Sequence, residues 1–298
     1  MNNTINVRQT RTVGDVLTDT FTYIRVYYKS LARMIAVYVL APLMIGSLMF
    51  SVSMGQMFAG DMQDFAASQD SPFLGMGLEL FGGFFFLMIA YLLLMGVIYQ
   101  HIYYAGKGEV PDNISDFSDG MFSKLMRFIP FMILLYIIVI GVMILGIFSL
   151  VEISFLMLLL LIPLGAFLLI RLVLFPIAYF VEDAGGFNSL VRSWELTSGY
   201  FWQTFGVYLL ITIVFGVLSQ LLSTPLFLVT AIAGAGLGSE SMILEVIVIF
   251  TYTLSFVFQV LFFAAQSIAL GLQYFNLEER KEGHSLSKQV AGLEGDTA

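Results

Sequence analysis

The chain has 298 residues, of which 59% are hydrophobic and 11% charged, with a net charge of −8 and no cysteine. A soluble domain carries about 25% charged residues, so lipid has to solvate the apolar excess here and a water-soluble globule is excluded. Without cysteine there are no disulfides, thiolate nucleophiles or Cys-based metal sites, and His101 and His284 are too few for a His-rich metal centre.

The polar start runs into a full-length apolar span without the short apolar core and cleavage site of a signal peptide, so it reads as mature protein. An amphipathic segment comes first, with Val13, Leu17, Phe21, Ile24, Tyr28 and Leu31 at helical spacing. Thr12 and Asp15 supply capping-box chemistry at its start. A hydrocarbon core of about 30 Å needs roughly 20 apolar residues in helix. Candidate spans are Ala32–Met54, Gly77–Tyr103, Phe128–Leu150, Ile153–Val181, Trp202–Leu222 and Met242–Phe275. The last is too long for one upright crossing and is expected to tilt or project.

Before the third span a second amphipathic segment holds Ile114, Phe117, Met121 and Leu125, with Asn113 and Asp116 as its start signal. Before the fifth, a third holds Phe187, Leu190, Val191 and Trp194, with Gly199 as its stop. The apolar faces of all three suit the headgroup boundary, where such helices lie flat. The fold class expected is therefore all-α, a polytopic bundle of six transmembrane helices with three interfacial ones. It reads as three units of surface helix plus hairpin over residues 1–277, followed by a polar tail, 278–298. The segment Thr224–Gly238 holds Pro225 and three glycines and reads as an outer loop or partly re-entrant stretch. No βαβ unit surrounds those glycines, so they are no dinucleotide loop.

Charge sets the orientation. Arg8, Arg11, Arg25, Lys29 and Arg33 precede the first span, and Lys107, Lys124 and Arg127 lie between the second and third. Arg171 and Arg192 lie near the junction of the fourth and fifth, and Arg280, Lys281 and Lys288 follow the sixth. The intervening loops hold no cation, only Asp61, Asp64, Asp70, Glu79, Glu152, Glu240 and Glu245. Basic flanks stay in the cytoplasm, which predicts a bacterial inner-membrane protein with both termini inside. Tyrosines and both tryptophans gather at the inner boundary, as amphipathic rings favour. The outer acids either keep short loops wet or form a docking surface for a cation or basic partner.

Few residues suggest chemistry. Arg171 is a permanent charge in an apolar run, costing about 2.5–3.5 kcal/mol near the centre of a span. Pro176, five residues on, strains the bond to Leu172. If the helix breaks there, Arg171 snorkels to phosphates; otherwise it is buried against freed carbonyls or an acid, as a fold-specifying link or a substrate site. Gln259, Gln266 and Gln273 share one face of the last span, with Ser255 four residues earlier. They read as interhelical hydrogen-bonding groups, or alternatively as the wall of a polar pathway. His101 reads as an interface histidine rather than a proton relay, and the sixteen methionines as packing residues. No cofactor, metal or nucleic acid is expected; the partners expected are the bilayer and other membrane proteins.

The stretch RLVLFPIAYFVEDAGGFNSLVRSWELTSGYFWQTFG, Arg171 to Gly206, resembles a bacterial membrane family related to the membrane domain of glycerophosphoryl diester phosphodiesterases. The matching positions are Arg171, Pro176, Glu182, Arg192, Ser193, Trp194, Leu196, Thr197, Gly199, Phe201 and Trp202. The opening VGDVLTDTFTYIRVYYKSL looks like the same family's first amphipathic segment. The enzymes that lend that family its name carry a soluble barrel, which takes about 250 residues and has no counterpart here. The resemblance therefore implies no phosphodiesterase activity. It implies a membrane-surface elbow, with Trp194 and Trp202 anchoring it and Arg192 meeting lipid phosphate or pairing with Glu182, Asp183 or Glu195. As a partner-docking site, the elbow suits a non-catalytic scaffold or accessory subunit of an envelope assembly. Two other readings are a transporter or channel for a small or lipid-like solute, resting on Arg171 and the glutamines, and a lipid-modifying enzyme needing two titratable groups such as His101 and Glu182.

Overall fold

A computed structural model describes residues 5–59, 72–108, 110, 117–118, 120–134, 155–183, 185–234 and 242–283. Among the described residues the fold is all-helical and contains no strand. The helices are α1 (Val13–Tyr38), α2 (Leu40–Ala59), α3 (Pro72–Lys107), α4 (residues 121–134), α5 (Phe155–Leu172), α6 (Phe175–Glu182), α7 (Gly186–Thr197), α8 (Phe201–Gly234) and α9 (Met242–Glu282). Among the described residues four stretches are long and apolar enough to cross a membrane: Glu79–Lys107, Pro163–Glu182, Phe201–Leu222 and Val246–Glu282. The pair Val13–Tyr38 and Leu40–Met54, bent by 59°, makes a fifth if it is one span. Of the expected Phe128–Leu150 span, residues 135–150 lie outside the described residues, as do Ile114, Asn113 and Asp116.

The capping box forms at the start of α1. Asp15 Oδ2 accepts from the Thr12 amide (2.9 Å) and hydroxyl (2.7 Å), and the Asp15 amide donates back to Thr12 Oγ1 (3.3 Å). The first surface helix does not end at Leu31, however; it continues to Tyr38 and bends at Val39. Pro42 explains the position. It has no amide to give the Tyr38 carbonyl, and its ring crowds that carbonyl, so the break falls four residues upstream of the proline. The face that α1 buries is Val16, Thr20, Tyr23, Leu31 and Met34, whereas Phe21 and Tyr28, from the apolar stripe read in the sequence, are exposed.

The second amphipathic segment behaves in the opposite way. Phe117, Met121, Leu125 and Phe128 are buried, and Phe122 and Met126 are exposed. Its apolar face thus packs on protein, not on headgroups. The reason is aromatic complementarity: Phe128 meets Phe175 (5.4 Å between ring centroids), Tyr179 (4.7 Å) and Phe180 (5.7 Å) on α6. Lys124 adds polar ties, its Nζ donating to the Phe180 carbonyl (2.9 Å) while its own carbonyl accepts from Tyr179 (3.2 Å).

The expected Ile153–Val181 span is two helices, α5 and α6, with Pro176 in the first turn of α6. A helix start is where a missing amide costs least. Of the two readings for Thr224–Gly238, the outer loop is corrected over residues 224–234, because α8 continues through Pro225 to Gly234. A helix is the main way to satisfy backbone groups in lipid, and the Thr224 hydroxyl donates to the Gln220 carbonyl (3.0 Å) beside the proline. Residues 235–238 lie outside the described residues.

At the end of α7, Gly199 has φ 84° and turns the chain into α8. A Cβ there would meet nothing within 4 Å, so its penalty is conformational alone. Gly199→Ala is expected to lose about 1–2 kcal/mol, and Gly199→Asn less. Helical Gly165, which also has open space, serves as control: alanine there is neutral or stabilising. Thermal unfolding in detergent checks both.

The chain forms two compact units, each drawn from separated stretches. The first comprises Met1–Tyr28, Ile98–Ile211 and Ser267–Ala298; the second comprises Lys29–Val97 and Thr212–Gln266. In the first, Tyr23 and His101 Nδ1 share a 2.6 Å hydrogen bond, and Gly271 lets Ile102 approach closely. In the second, α2 and α3 pack through Gly46 and Gly83. There Ser53 donates to Glu79 (3.2 Å) and Ser51 bonds Thr253 (3.1 Å).

Candidate functional site

The motif residues converge in the first unit, where α5, α6, α7, the start of α8 and the end of α9 meet. The helix ends at Leu172, four residues before Pro176, and α5's last carbonyls are left without helical amide donors. Ser193 on α7 takes one of them, donating to the Arg171 carbonyl at 2.8 Å. This bond belongs to a wider pattern: α7 buries Ser189, Ser193, Leu196 and Thr197 and exposes Phe187, Val191 and Trp194. Its inward face is mostly small and polar, while its outward face sets Phe187, Val191 and Trp194 beside Asn188 and Glu195. The apolar part of that outward face suits a lipid boundary or an apolar partner.

Glu182, at the end of α6, accepts from Arg192 Nε (2.5 Å) and from the Tyr274 hydroxyl (2.6 Å). Arg192 Nη2 also pairs with Glu282 on α9, and Lys281 donates to the Glu195 carbonyl. Burial lowers the pKa of Arg192, but its bonds to Glu282 and Glu182 outweigh this and raise it above the ordinary arginine value. Sequence reading offered Glu182, Asp183, Glu195 or lipid as partners for Arg192; it did not see Glu282, ninety residues along the chain.

Arg171 sits in the last turn of α5. Its guanidinium carbon lies 5.1 Å from the Phe167 ring centroid, 5.1 Å from Trp194 and 5.8 Å from Phe201. Trp194 is half-exposed, and Trp202 is 77% exposed, standing edge-on to Phe201 and Phe205.

The three glutamines share a helix but not an environment. Gln273, in the first unit, is buried; it donates to Thr204 (3.3 Å) and accepts from Asn276 (2.9 Å). In the second unit, Gln266 reaches Thr212 (3.4 Å), and Gln259 is exposed. These two line a cavity of about 250 Å³ with Tyr91, Thr212 and Ser219.

Sequence reading also missed a knot at Arg11. This fully buried residue donates to Asp19 (2.8 Å) and to the carbonyls of Val7 (2.7 Å), Asn6 (2.7 Å) and Gln9 (3.2 Å). Its amide donates to Asn276 (2.7 Å), and its carbonyl accepts from Gln203 (3.0 Å) and Arg280 (2.8 Å). Burial lowers the Arg11 pKa, opposed by Asp19. Asp19 on the facing turn was the sole local signal. Among the described residues no three His, Asp or Glu side chains converge to hold a metal.

The family described as Domain of unknown function (DUF7847) matches residues 120–270, just over half of the chain. The chain belongs to this family. The matched residues include the whole Arg171–Gly206 stretch and so the elbow of α5 to α8. No curated protein and no solved structure matches.

Proposed function

We propose that this DUF7847 protein is a non-catalytic, multi-pass protein of the bacterial inner membrane that serves as a scaffold or accessory subunit of a membrane or envelope assembly. It has six transmembrane helices, three interfacial helices and both termini in the cytoplasm. The bent α1–α2 pair is the first crossing; most of the expected third, Phe128–Leu150, lies outside the described residues. The segregation of every cation to one set of connections supports the orientation. Likeness to the membrane domain of glycerophosphoryl diester phosphodiesterases, carried by the same elbow, is part of this reading.

The observation that carries it is α7. The motif's charged groups Glu182 and Arg192 engage each other, Tyr274 and Glu282, while Phe187, Val191 and Trp194 face outward. An elbow that shows Phe187, Val191 and Trp194 beside the polar Asn188 and Glu195 on its outer face suits attachment to lipid or a partner. The lipid-modifying reading pairs His101 with Glu182, whereas His101 Nδ1 bonds Tyr23 and Glu182 bonds Arg192 and Tyr274. The cavity lined by Gln259 and Gln266 favours a second reading, a transporter or channel for a small or lipid-like solute.

The lack of native cysteine makes a direct test available. Lys107→Cys is expected to resist impermeant thiol reagents on intact cells, and Ser68→Cys to react. Mild solubilisation is expected to bring down a stoichiometric membrane partner. Labelling of Lys107→Cys from outside would overturn the topology, and isolation as a lone protomer the scaffold role.

A further inference from the structure

We infer that Arg171 and the rings around it form a binding site for the phosphate of an anionic phospholipid. A guanidinium is permanently charged and presents five N–H donors in a planar fork. Phe167, Trp194 and Phe201 stabilise the charge through their faces. They offer no hydrogen-bond acceptor in its plane. Arg171 Nε and Nη1 are buried without a hydrogen-bond partner, and among the described residues no carboxylate forms an ion pair with it.

Its neighbours make this unusual. In the same unit Arg11 has Asp19 and three carbonyls, Arg192 has two carboxylates, and Arg280 has Asn276 and the Arg11 carbonyl. The acid nearest in sequence, Glu182, already serves Arg192 and Tyr274. The fold supplies hydrogen-bond acceptors to Arg11, Arg192 and Arg280, and gives Arg171 an aromatic seat with no acceptor for Nε and Nη1. Unmatched donors in such a place are what an external anion completes, and phosphate oxygens fit the fork bidentately.

The surroundings select the source of that phosphate. Arg171 is half-exposed, and the elbow around it shows Trp194, Trp202 and Phe187 to the outside. A free phosphate would gain the fork alone. A phospholipid gains the fork for its headgroup and the aromatic surface for its glycerol and acyl region. This site is independent of whether a protein partner docks on α7.

The test uses the full chain in detergent. Its only tryptophans are Trp194 and Trp202, so Trp202→Phe leaves Trp194 as the sole reporter beside the site. Phosphatidylglycerol is expected to shift Trp194 emission saturably and raise the melting midpoint, while diacylglycerol and inorganic phosphate do neither. Arg171→Gln is expected to weaken the lipid response roughly tenfold or more, and Arg171→Lys, which keeps the charge but not the fork, by less. An equal response to diacylglycerol, or an unchanged one in both variants, would overturn the site. An equal response to inorganic phosphate would overturn its assignment to lipid. Should Arg171→Gln fail to fold, the lysine variant and the comparison of ligands on the parent chain decide the matter.

Discussion

Arg11→Met is expected to destabilise the protein by about 3–5 kcal/mol, the cost of removing one partner from a buried, hydrogen-bonded charge pair. That is a large fraction of the roughly 5–15 kcal/mol that holds a typical domain together. The substitution keeps volume but removes the donors that close residues 6–11 into a hook. Asp19 loses its cation, and the Val7 and Asn6 carbonyls, each 2.7 Å from a guanidinium nitrogen, lose theirs. The effect then spreads, because the hook's own backbone completes the next layer: the Arg11 carbonyl receives Gln203 and Arg280, and its amide contacts Asn276. Asn276 donates to Gln273, which donates to Thr204. A loss at Arg11 therefore loosens the start of α8 and the end of α9 together. Thermal unfolding in detergent measures the total. Trypsin reports the locality, since Arg8, now paired with Glu278 at 3.0 Å, would become a cleavage site. Arg11→Lys should recover only part, having no fork to divide between Asp19 and the carbonyls. An unchanged midpoint with Arg8 still protected would show that the hook is held by something else.

What the sequence revealed about this fold follows a simple division. Features set by neighbours along the chain were legible: the Thr12–Asp15 capping box and the turn at Gly199 each depend on residues within one helical turn, whereas a break before Pro176 was one of two readings the sequence left open. Pro42 was equally local, but its consequence, a bend at Val39, was hidden inside an apolar run read as one span. The apolar stripe of α1 was legible, but not which side faces protein. In water the apolar side must turn inward; beside lipid that constraint disappears, and Thr20 and Tyr23 could take the inner side instead of Phe21 and Tyr28. The Ser189–Ser193–Thr197 side of α7 obeys the same logic. The Arg11 site was illegible because its partner Asn276 is 265 residues away. The regular spacing of Gln259, Gln266 and Gln273 placed them on one face correctly, yet spacing carries no information about which of them a neighbouring helix covers.

The other large effect is expected where α2 meets α3, at two glycines that the apolar pattern alone does not distinguish from the rest. A Cβ on Gly46 would stand 2.7 Å from the Leu87 amide nitrogen and 2.9 Å from the Gly83 carbonyl oxygen. One on Gly83 would stand 2.8 Å from the Phe50 nitrogen and 3.1 Å from the Gly46 oxygen. These obstacles are main-chain atoms, so no rotamer change relieves them and the helices must separate. Overpacking of this kind costs about 1–3 kcal/mol, occasionally more. Helices that meet in lipid have little besides close contact and a few hydrogen bonds to hold them, so lost packing is poorly replaced. Gly46→Ala and Gly83→Ala should therefore each fall near the upper end of that range in detergent unfolding. Gly82→Ala is the discriminating control. Its added Cβ would meet Met49 Cε at 2.5 Å, the far end of a flexible side chain that can rotate away. It should cost well under about 1 kcal/mol. A chain lacking cysteine also allows the displacement to be located: a disulfide between Ser53→Cys and Glu79→Cys, whose side chains hydrogen-bond at 3.2 Å in the parent, should form more slowly when Gly46 or Gly83 is alanine. Equal costs at all three glycines would mean that crowding at the backbone is not what sets the approach of α2 to α3.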